Sequence, residues 1–141
     1  MISTLSPALM LCLATLMPEK NLADLPPPAD VDIEGYYSCS GKDANHEPYS
    51  GVVVIARRGD VYVVGWQIES NISVGVGLRQ GNVLSVGFRG SEGMIGVCRY
   101  VIEVEDGKPT LKGSWATAPG DGRAHQETLT FERKTAKPES D

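Results

Sequence analysis

The sequence predicts an all-β protein, an antiparallel up-and-down meander of about eight strands that forms a small barrel or a strongly coiled sheet. Three observations carry this expectation. From about Ile33 onward, apolar and polar residues alternate with a period of two. Turn residues interrupt the alternation roughly every 8–12 residues. No stretch carries a helical period of apolar residues.

Taken in order, strands are expected at 33–40 and 50–57 around a polar loop at 41–48. The next are expected at 60–68, opened by Gly59-Asp60, at 71–79, and at 82–89, opened by Gly81-Asn82. A strand at 95–105 and one at 109–116 flank Gly107-Lys108, and the last, at 125–133, follows a second loop at 117–124. Successive side chains on a strand point to opposite faces. Alternation therefore groups Tyr62, Val64, Trp66 and Ile68 with Ile72, Val74, Val76 and Leu78 on the next strand. Leu84, Val86 and Phe88 follow, then Cys98, Tyr100, Ile102 and Val104, then Leu111, Trp115, Leu129 and Phe131. These are expected to fill the interior, with Arg79, Arg89, Arg99, Glu103, Lys112 and Glu132 on the wet face. The opposite face of the middle strands then reads Gly65, Ser73, Gly75, Gly77, Ser85 and Gly87. Glycine lets strands bend as a sheet rolls up, and such a row also offers a flat docking patch flanked by Val61, Val63, Val97 and Val101.

Ahead of the β domain at 33–133, residues 1–17 contain no charged side chain and resemble a signal peptide, too short an apolar run to span a bilayer. Residues 18–32 read as a linker that includes the run Pro26-Pro27-Pro28, and 134–141 as a polar tail. The expected location is secreted, periplasmic or in the cell envelope. A formal net charge of -5 leaves no basic surplus for phosphates, which argues against a nucleic-acid partner.

Cys39 and Cys98 form an even pair once Cys12 is removed with the leader, which makes a disulfide one expectation and two separate buried thiols the other. Arg58-Gly59-Asp60 spells a tripeptide that some host receptors read, and is equally an ordinary Gly-Asp hairpin turn. The loop KDANHEP sets Asp43, Asn45 and Glu47 at alternate positions but lacks the central glycine of a calcium loop. His46 and His125 stand in no zinc-ligand spacing. Neither a GxSxG elbow nor a Walker loop, an HExxH or a dinucleotide fingerprint is present, so no catalytic residue, metal or cofactor is assigned.

The ordered motifs GYYSCSG, YSGVVVI, GDVYVVGW, GVGLRQGNVLSVGF, GVCRYVIE, LKGSW and ETLTFER span most of residues 35–133. In order and number they resemble a family of uncharacterised secreted bacterial β proteins, some of which carry a fibronectin-binding label. More distantly, the hairpins and the LKGSW segment are similar to calycin barrels of the avidin and lipocalin type, which implies small-molecule binding in a barrel mouth. The YSC start is similar to that of periplasmic lysozyme inhibitors. The expected function is a noncatalytic binding module, with Tyr62, Trp66, Tyr100 and Trp115 lining a cavity for a small apolar ligand, and a barrel simply filled by its own side chains is an equal alternative. Binding of an extracellular or envelope protein through an outer face is the alternative. A hydrolase or isomerase would require a buried carboxylate paired with His125 in a cleft.

Overall fold

Each strand of an alternating meander carries one dry face, and a sheet can bury that face by curling until its first strand meets its last, which also removes both free edges. In the computed structural model, which describes residues 31–135, eight antiparallel strands do this. They are β1 (Gly35–Lys42), β2 (Pro48–Arg58), β3 (Val61–Ile68) and β4 (Asn71–Gln80), then β5 (Val83–Arg89), β6 (Ile95–Glu105), β7 (Lys108–Ala118) and β8 (His125–Arg133). Each pairs with the next, and β8 returns to β1 with Phe131 opposite Tyr37 and Leu129 opposite Cys39. One short 3-10 turn, Ser91–Gly93, links β5 to β6, and no helix among the described residues is long and apolar enough to cross a membrane. The leader-like segment, residues 18–30 of the linker with all of its proline run, and residues 136–141 lie outside the described residues.

The connections alternate between the two ends of the barrel. The tight turns at Gly59, Gly81 and Gly107, each glycine at a positive φ of 60–75°, gather at one end. The segments 43–47, 69–70, 90–94 and 119–124 gather at the other. At the tight-turn end the chain seals its own barrel. Residues 31–34, expected to close a linker and begin a strand, instead fold beneath the barrel with Ile33 fully buried. The Tyr37 hydroxyl donates to the Ile33 carbonyl at 2.7 Å, and Arg79 Nη1 donates to the Val31 carbonyl at 2.5 Å. Tyr37, Ile55, Leu84, Ile102 and Leu111 fill this half completely.

Four expectations about faces are corrected. On β4 the phase is reversed: Ile72, Val74, Val76 and Leu78 are more than half exposed, while Gly75 and Gly77 are buried. The reason is volume. Gly77 pairs with the inward Tyr62 and Gly75 with the inward Val64, and a Cβ on Gly75 would stand 2.7 Å from Val86 Cγ1. Side chains from β3 and β5 already occupy the space beneath β4. The row of small residues is consequently split, with Ser73, Gly75 and Gly77 inside and Gly65, Ser85 and Gly87 outside. Arg79, expected in water, shares the inward face of β4 and reaches the plug; its Nη2 is buried without a partner among the described residues. Val104 is exposed because β6 runs past the sealed end.

Candidate functional site

On β8 the two-residue period that buries Leu129 also aims Glu127 into the barrel, where it is 6% exposed. A carboxylate withdrawn from water is costly unless its oxygens are hydrogen-bonded. Four neutral donors converge on it. Cys39 Sγ and the Tyr49 hydroxyl both reach Oε1 at 3.0 Å, while Trp66 Nε1, at 3.3 Å, and the Tyr100 hydroxyl reach Oε2. The direction of these bonds is forced, because an indole N–H only donates. Trp115 Nε1 donates to the Tyr49 oxygen at 2.9 Å, which leaves the Tyr49 proton for Glu127. Trp66 Nε1 is also shared with the Tyr100 oxygen at 3.3 Å, so the Tyr100 proton goes to Oε2.

Room for this network comes from two glycines. The cross-strand partners of Glu127 are Gly41 on β1 and Gly113 on β7. A Cβ on Gly41 would lie 2.6 Å from Tyr49 Cζ, and one on Gly113 would lie 2.5 Å from Tyr100 Cδ1. Each phenol thus crosses a neighbouring strand where a side chain is missing. Burial, and after it the charge of Glu127, pushes the Tyr49 and Tyr100 phenols and the Cys39 thiol far above their ordinary ranges. Burial likewise pushes Cys98 up to about 12.

Beside Glu127 the barrel opens into a cavity of about 500 Å³ that leads to the long-loop end. Tyr49, Trp66, Phe88, Cys98, Tyr100 and Trp115 line it, and Asp43, Glu69, Asp121 and His125 stand around its rim. Trp66 and Phe88, on strands either side of β4, meet with ring centroids 5.4 Å apart because Ser73 and Gly75 lie between them. On the far side Trp115 contacts Tyr49 at 6.4 Å and His125 at 4.6 Å between centroids. His125 Nε2 lies 3.1 Å from Asp121 Oδ1. The Arg123 backbone N–H first, and this histidine second, hold the Asp121 carboxyl below its usual range.

Of the aromatic residues expected to line a cavity, Trp66, Tyr100 and Trp115 do so. Tyr62 does not: it is buried toward the sealed end, with the Arg57 guanidinium 6.0 Å from its ring centroid. Cys39 and Cys98 form no disulfide; both are free and buried, on strands separated by β7 and β8, and Cys39 serves Glu127 instead. The buried carboxylate is not the partner of His125, which bonds the exposed Asp121. In the KDANHEP loop Asp43 Oδ1 accepts from the backbone N–H groups of Asn45 and Glu47, at 2.8 and 3.0 Å, and so knits a turn. Sequence reasoning missed Tyr49, Phe88 and Glu127 as a lining set. The parity of Glu127 with Leu129 and Phe131 was a usable signal.

No known family profile matches this chain, and no curated protein matches it. Among solved structures it is similar to one described as a de novo design of a fluorescence-activating β-barrel. The identity is 13% and the TM-score 0.51, over 74% of this chain and 96% of that one. The structure of EF1p2_mFAP2b bound to DFHBI is a further match at 12% identity and a TM-score of 0.48, over 72% and 94%. What the chain shares with the first of these is the architecture of a closed β-barrel.

Proposed function

We propose that this protein is an exported, noncatalytic binding module that holds a small, largely apolar molecule in the open half of its barrel. The observation that carries this is the half-filled interior. An eight-stranded barrel has room either to pack itself solid or to hold one small ligand. Here one half is packed solid, while the other keeps a cavity of about 500 Å³ walled by five aromatic side chains around Glu127. That volume falls in the range of small-molecule sites, which are mostly apolar with a few placed polar groups. The leader-like residues 1–17 motivate the export. Native mass spectrometry of the protein exported from a bacterial host, before and after denaturation, is the test. A small mass lost on denaturation is the expected result. An empty barrel that also leaves the fluorescence of Trp66 and Trp115 unchanged by a panel of small apolar dyes would overturn the reading.

A second reading, pairing of two copies, is favoured by the outer wall. There Val74, Val76 and Leu78 form an apolar ridge beside a groove of about 540 Å³ floored by Ser85 and Gly87. A two-fold axis would set the ridge of one copy against the groove of the other. Sedimentation at tens of micromolar (about 800 Å² per partner is the usual need) decides it: a monomer excludes the pairing.

A further inference from the structure

We infer that the ligand of this cavity is an organic cation, an apolar body carrying an ammonium or similar group. The inference rests on the barrel being a small-molecule binder and names the class of molecule. Its first support is the charge of the lining. Asp43, Glu69, Asp121 and Glu127 all contribute to the cavity and its rim, whereas no Lys or Arg does. The one basic side chain there, His125, is held by Asp121.

The second support is independent and concerns how the aromatic groups are oriented. Tyr49, Tyr100, Trp66 and Trp115 spend their O–H and N–H groups within the network around Glu127. Their polar edges are thereby used up inside the wall, and what remains for a guest is ring surface, chiefly that of the half-buried Tyr49 and Trp115, since Trp66 and Tyr100 are buried. The faces of such rings carry the negative part of the aromatic quadrupole and attract a cation within about 6 Å. A neutral guest receives apolar contact from these rings and no charge attraction. An anion meets acidic groups without a positively charged donor to receive it. The formal net charge of -5 adds a long-range bias in the same direction.

Three molecules on one skeleton test this at near-neutral pH: 4-phenylbutylamine, 4-phenylbutanol and 4-phenylbutyrate, titrated against the fluorescence of Trp66 and Trp115. The amine is expected to bind about tenfold more tightly than the alcohol, and the butyrate more weakly than either. Glu127→Gln and Asp121→Asn should each shrink the amine-to-alcohol ratio severalfold. Asp121 is exposed at the rim, so its variant reports even where Glu127→Gln fails to fold. An alcohol that binds as tightly as the amine, or a butyrate that binds best, overturns the inference and leaves the barrel reading standing. If none of the three binds, the cargo seen by native mass spectrometry decides. A cationic cargo supports the inference, a neutral or anionic one overturns it alone, and an empty barrel overturns the reading beneath it.

Discussion

Gly41 and Gly113 act through the atoms they lack. Each leaves a gap in a wall strand beside Glu127, and a tyrosine ring passes through it to reach the carboxylate. Gly113→Ala should therefore cost about 1–3 kcal/mol, the usual penalty of overpacking. Gly65→Ala, where an added Cβ meets nothing within 4 Å, is the matched control and should stay within about 0.5 kcal/mol in urea unfolding. Protonation provides a second expectation. Tyr37, Tyr49, Tyr100, Cys39 and Cys98 are all raised in the folded state above the ordinary values of 10.0 for the phenols and 9.0 for the thiols. The folded state then binds more protons than the unfolded chain in alkali, so this contribution is complete below about pH 9 and falls as pH rises. The urea midpoint should drop steeply between about pH 9 and pH 11; a flat profile would remove burial as the cause. Glu127 was legible by parity alone, yet its charge makes it read as loop or surface. The two glycines were not legible, because the ring that needs each gap comes from a different strand.

At the scale of the element, β4 shows how a period can be read correctly and a phase incorrectly. Its alternation is plain, but the larger and more apolar set, Ile72 to Leu78, faces outward. Hydrophobicity selects the inner face only while the interior has room, and here Tyr62, Trp66, Val86 and Phe88 from the flanking strands take that room. The other strands, each with a large inward set, follow the simple rule. A pair of substitutions on β4 separates the two faces. Val76→Thr should change stability by no more than about 0.5 kcal/mol, as an exposed position does. Gly77→Val should destabilise by about 3 kcal/mol or prevent folding, because its Cβ alone would lie 3.0 Å from Val86 Cγ2. Equal effects at the two positions, measured by thermal unfolding, would contradict the observed phase.

Across the whole molecule, the strand number, the order of long and short connections and the closed meander were legible, because each follows from local alternation and turn chemistry. Whether the barrel was filled or hollow was not, since the volume left inside is a balance struck by all eight strands together. That balance differs between the halves: Ile33 and Tyr37 complete one, and the other stays open above Glu127. The segment at 31–34 that seals the filled half leads into β1 at Gly35, and β8 departs at Arg133 from the same end, where Tyr36 and Arg133 are paired. Both chain directions therefore leave the barrel on the side away from the cavity. A carrier domain, a surface or a dye-reporting partner attached next to residue 31 or residue 135 starts behind the vessel rather than at its rim. Joined this way, the protein should keep its ligand affinity within about twofold, whereas the same partner inserted at 119–124 should abolish it. The barrel is in effect a cup with its handle at the base, and immobilising it presents the opening outward.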